Sequence, residues 1–92
     1  MPTKTTTNPI AAEALSLPVE FEYEGVKFAA LPTSEWPFEA VEHFEEGRLA
    51  SYLKAILASP AEYARWKSLK PTIGQTNDFI VAIQRANGIE GN

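Results

Sequence analysis

His43 is the only histidine in the chain, so it is the first residue to weigh for acid–base, nucleophilic or metal chemistry. A metal site around it would need further nitrogen or sulfur ligands, and the chain has no cysteine. An all-carboxylate cluster is not suggested by the single Asp78 and dispersed glutamates. For a nucleophile triad, Ser34, Ser51, Ser59 or Ser68 would have to meet His43 and a carboxylate, and none has the context of an activated serine. Glu45 and Glu46 are adjacent, so on a helix they diverge by about 100° and cannot share a proton as a catalytic pair. No glycine-rich phosphate loop is present. The expectation is therefore a protein that is not an enzyme and has no catalytic residue, cofactor or metal.

Binding is the remaining chemistry. Ten aromatics in 92 residues, Trp36 and Trp66 among them, are many for one small core to enclose, and tryptophan is a favoured interface anchor. Trp36, Phe38, Tyr63 and Trp66 are the partner-binding candidates, on aromatic character and position. The competing reading puts both indoles in the core, because so small a domain needs its large side chains inside. Two helices joined by a short turn, residues 60–69 and 72–86, invite comparison with a helix-turn-helix. The would-be reading helix has only Arg85 near its end and Asp78 near its start, so it offers few phosphate contacts.

Charge is unevenly distributed within a net −4. Glu35 to Glu46 holds five glutamates and no lysine or arginine, whereas Arg48 to Lys70 holds five basic residues against Glu62 alone. This polarity fits steering between helices, within the chain or towards a partner, or simply solvated outer faces. No apolar run approaches the roughly 20 residues of a membrane span. The polar start has no signal-peptide core, which points to a soluble, unsecreted protein.

These side chains need elements to hold them. Residues 1–17 form a lead-in, with a short Ala-rich turn between Pro9 and Pro18. Residues 18–92 form one domain in which, without cysteine, hydrophobic packing must hold the fold. Val19 to Leu31 alternates apolar and charged residues around Glu24-Gly25. A two-residue turn there pairs Tyr23 with Val26, Phe21 with Phe28 and Val19 with Ala30 on one side, and sets Glu22 opposite Lys27. Helices follow at about 37–46, 48–58, 60–69 and 72–86. The first is capped by Ser34 or Trp36, carries a stripe of Phe38, Val41 and Phe44, and stops at Gly47. The second, with Leu49, Tyr52, Leu53, Ile56 and Leu57, has the cleanest periodicity and is expected to be the most buried.

The third helix opens on a capping box, Ser59 to Glu62, and has an apolar edge of Tyr63, Trp66 and Leu69. The fourth opens on Thr72 to Gln75, buries Ile73, Phe79, Ile80, Ile83 and Ala86, and ends in an Asn87-Gly88-Ile89 cap. The expected fold is α+β, an N-terminal β-hairpin followed by a compact bundle of about four short helices.

The run from Leu17-Pro-Val-Glu-Phe-Glu-Tyr-Glu-Gly through Glu35-Trp-Pro-Phe-Glu-Ala, Phe44-Glu-Glu-Gly and Lys70-Pro-Thr-Ile-Gly to the end resembles the tail assembly chaperones of long-tailed (siphovirus-type) actinobacterial phages. The likeness extends over everything after the lead-in. It implies a host-cytoplasmic protein, absent from the mature virion, that coats the tape measure protein and keeps it soluble while the tail is built. It also implies a ribosomal frameshift near the end of the short form, with tail-tube subunits recruited by the longer product. Coating a long fibre favours many copies or a homo-oligomer; neither nucleic acid nor membrane is expected as a partner. Glu90-Gly91-Asn92 can be encoded as GAG-GGA-AAC, which contains the slippery heptamer G-GGA-AAC. This chain would then be the short product or the part shared by both; the gene sequence tests this, and final codons lacking a slippery heptamer would remove it. The main alternative is a virion structural or head-to-tail connector protein, which would persist in purified particles. The second is a small DNA-binding regulator, which would bind duplexes in a salt-sensitive way.

Overall fold

Alternation in the sequence becomes a two-stranded antiparallel ribbon, β1 (Val19–Tyr23) and β2 (Val26–Ala30), in a computed structural model that describes residues 17–89. The register pairs Val19 with Ala30, Phe21 with Phe28, Tyr23 with Val26 and Glu22 with Lys27, as the two-residue turn requires. Both turn residues have positive φ, 53° at Glu24 and 78° at Gly25, the twist that suits a tight hairpin. All but the last residue of the 1–17 lead-in, and the slip site expected at residues 90–92, fall outside the described residues.

A short 3-10 turn, Thr33–Glu35, leads to four helices: α1 (Phe38–Glu45), α2 (Leu49–Ile56), α3 (Pro60–Ser68) and α4 (Ile73–Ala86). The architecture is α+β, a hairpin followed by a bundle of four helices. The cap of α1 is neither Ser34 nor Trp36 but Pro37, without a side-chain hydrogen bond. Ser34 lies within the 3-10 turn. The indole of Trp36 is occupied elsewhere, its Nε1 donating to the Leu31 carbonyl at 2.8 Å. Gly47, at φ 74°, ends α1. Its N–H reaches the Phe44 carbonyl and the Arg48 N–H that of His43, the paired bonds of a Schellman cap.

Helix α2 stops two residues short of its sequence expectation because Leu57 leaves the helix to bridge Ala30. Leu31 donates to Ile56 O at 2.8 Å and Ala58 to Ala29 O at 3.0 Å, so one residue serves as a third strand beside β2. Helix α3 also departs from expectation. Ser59 is its N-cap without a side-chain bond, and Glu62 does not close a capping box. Instead Glu62 Oε1 accepts the Ala29 N–H at 3.1 Å and Arg65 Nη1 at 2.8 Å, while Arg65 also donates to Lys27 O. Two α3 side chains thereby occupy backbone groups on the outer edge of β2, which would otherwise invite another strand. The Thr72–Gln75 capping box forms as expected, and Gly88 and Ile89 close α4 with a second Schellman pair.

The core lies between the ribbon and helices α2 to α4. Phe79 is its centre: its ring lies 3.9 Å from Trp66 with planes 4° apart, 4.9 Å from Phe28, and 5.5 Å from both Phe21 and Tyr23. Leu53, Ile56, Ile80 and Ile83 complete it. At roughly 1.5–3 kcal/mol per buried large apolar side chain, this cluster is the main stabilising term in a chain without disulfides.

Candidate partner-binding surface

The aromatic candidates separate in the structure. Trp66 is 3 % exposed and stacked into the core. Trp36 is half-buried, pinned by its bond to Leu31 and set edge-on to Tyr52. Tyr63 is half-buried, with Lys54 Nζ 5.3 Å and Lys67 Nζ 5.6 Å from its ring centroid. Phe38 stands 73 % exposed. Both indoles therefore belong mainly to the scaffold, and the surface apolar groups are other residues.

Helix α1 provides the first group. Its stripe of Phe38, Val41 and Phe44 is turned towards solvent, with Val41 and Phe44 each about half exposed. The residue that α1 buries fully is Ala40. A small side chain at that position lets the helix approach the body closely, and the Trp36 anchor and the Gly47 cap fix its roll. Phe44 still touches the body, its ring 4.9 Å from Tyr52. Glu42 and Glu45 are the i+4 neighbours of Phe38 and Val41, so an acidic flank runs beside the apolar stripe.

The second group is a groove of about 370 Å³ between α2, α3 and the start of α4. Leu49 and Leu53 form one wall, Tyr63 and Trp66 the other, and Ile73 stands at the mouth beside Lys67. Ile73 is 78 % exposed rather than buried, because it occupies the first position of α4, ahead of the turns that carry Phe79, Ile80 and Ile83 into the core. Leu69, at the end of α3, is exposed too. A smaller hollow of about 190 Å³, bordered by Tyr23, Leu69 and Gln75, also has Trp66 in its lining. The indole thus belongs both to the core and to the lining of two surface depressions.

Charge follows the same division. Among the described residues the ion pairs are Arg48–Glu46 and Arg65–Glu62, neither of which uses Glu42 or Glu45 of α1, or Lys54 or Lys67 near the groove. The stripe is thus flanked by negative charge and the groove by positive charge.

His43 is partly buried, with its Nδ1 shielded and without a hydrogen-bond partner. Among the described residues no three His, Asp or Glu side chains converge as a metal site would require, and no helix is long and apolar enough to cross a membrane.

The sequence pattern puts Ile73 in the buried stripe of the fourth helix, whereas the structure leaves it at the surface. For the outward α1 stripe the sequence signal is Ala40, the small residue opposite part of it. Compared with known proteins, the chain matches no family model, no curated protein and no solved structure.

Proposed function

We propose that this chain is a non-catalytic chaperone of phage tail assembly that holds amphipathic helices of a tape measure protein in the groove between α2, α3 and α4. The observation that carries this reading is the groove itself: apolar walls from three helices, open to solvent and large enough for side chains of one helical face. Helix-in-groove binding is an established way to shield a sticky helix, with anchors every three or four residues. The resemblance of the hairpin, Glu35 to Ala40, Phe44 to Gly47 and Lys70 to Gly74 phrases to tail assembly chaperones supplies the identity of the client. On this reading the protein acts in the host cytoplasm and leaves before the virion is complete, and a longer frameshift product brings tail-tube subunits to the same client.

Co-expression with the tape measure protein tests the reading. Soluble tape measure protein should co-purify with the wild-type chain, and the groove variant Ile73→Glu should reduce both solubility and recovery. Equal solubility of the tape measure protein with and without the chain would overturn it. Presence of the chain in purified particles would favour the connector alternative.

A further inference from the structure

We infer that the groove of one copy takes helix α1 of a second copy, so that the protein self-associates through unlike surfaces. The inference stands on this chain's own two surfaces and does not depend on the identity of any client. The groove is the one proposed above for a client helix, so the two occupants exclude each other there and self-association is the client-free state.

Phe38, Val41 and Phe44 form an apolar ridge on a folded helix, a shape suited to an open apolar groove. Leu49 and Leu53 line that groove, while Tyr52, on the same helix, meets Phe44 of its own chain. Leu53 itself is buried, and the exposed groove residue of that helix, Ala50, precedes Tyr52 by two residues, about 160° round the helix. A chain's own α1 is therefore held on a different flank of α2 from the groove wall, which leaves that wall to the α1 of another molecule. Charge selects the same pairing. Glu42 and Glu45 flank the ridge, Lys54 and Lys67 sit over Tyr63 at the groove, and none of the four joins an ion pair among the described residues. Like pairings, ridge on ridge or groove on groove, would set equal charges against each other. The contact is consequently heterologous, and each copy offers both halves of it.

The test uses two variants of the full chain. Phe38→Ser with Val41→Ser removes the ridge and leaves the groove. Ala50→Glu with Ile73→Glu places negative charge at the groove and leaves the ridge. All four positions are exposed, and thermal melts would check that both variants fold. Sedimentation velocity should show wild-type mass rising with concentration and falling as salt is added. Each variant alone should weaken association by at least about tenfold. A one-to-one mixture should restore a dimer, because each variant keeps the half that the other lacks. A wild type that stays monomeric up to about 1 mM overturns the inference. So do variants that associate like wild type, or a mixture that remains monomeric. Tape measure solubility is measured separately, so failure here is distinguishable from failure of the client assay.

Discussion

Glu62 reaches out of α3 to accept the backbone N–H of Ala29 at 3.1 Å, standing in for a strand carbonyl that the two-stranded sheet lacks. The same oxygen holds Arg65, whose other bond is to Lys27 O, so both side chains continue the hydrogen bonding that Ile56 and Ala58 begin on that edge. Glu62→Ala should cost about 1–3 kcal/mol in chemical denaturation, chiefly by leaving the Ala29 donor without an acceptor. Glu62→Gln keeps an acceptor oxygen and loses only the ion pair, so its loss should stay below about 1 kcal/mol. Equal losses for the two variants would show that charge, rather than edge capping, matters.

Stability and surface function should separate along α1 and α4. Phe79→Ala removes the ring on which Trp66 stacks and should cost about 3–5 kcal/mol. Phe38→Ser removes a ring of similar size from an exposed position and should change stability by no more than about 0.5 kcal/mol. Paired denaturant midpoints measure both; a large loss for Phe38→Ser would show that the α1 stripe supports the fold.

Among the described residues, Glu24 and Lys70 occupy the left-handed region without being glycine, both at φ 53°. Lys70 terminates α3 directly before Pro71, which has no N–H for the second bond of a Schellman cap. Lys70→Gly should stabilise the fold by about 0.5–1 kcal/mol, the relief of backbone strain less the added freedom of the unfolded chain. Glu24→Asn, which gives the preferred Asn-Gly turn, should raise the melting temperature as well. A fall in melting temperature for either variant would contradict this account of the turns.

Burial pushes the Tyr52 phenol pKa up, against a smaller opposing pull from the Gln84 amide that donates to its oxygen. The folded state therefore holds the phenolic proton to higher pH than the unfolded chain does. Its stabilising contribution is full below the unfolded value of about 10 and is lost as pH rises through the folded value. Tyr52→Phe should flatten this alkaline loss; an unchanged alkaline limb in pH-dependent melts would place the titration elsewhere.

The hairpin was readable from sequence because alternation, a two-residue turn and the Glu22–Lys27 pairing all specify one register. The α4 start was equally readable, since Thr72 and Gln75 satisfy each other locally. Residues with two physically reasonable uses were less determinate. Glu62 has capping-box spacing, yet a strand edge within reach takes its carboxylate. Leu57 fits the α2 stripe, yet it leaves the helix for Ala30. Trp66 has the size of an interface anchor, yet the flat face of Phe79 holds it in the core. On α1, three large apolar residues form a stripe that could face either way, and close approach through Ala40 turns it outward. Each outcome depends on a neighbour distant in sequence, which periodicity does not encode.

The Leu31–Ile56 hydrogen bond draws together the two ends of the segment carrying α1 and α2, making it an excursion closed at its neck. A few residues inserted at the outer bend around Gly47 would lengthen the excursion without shifting the β2 register, whereas the same insertion beside Leu57 would displace the bridge to Ala30. The reach of the acidic helix is therefore adjustable, and the frame from which it projects is not.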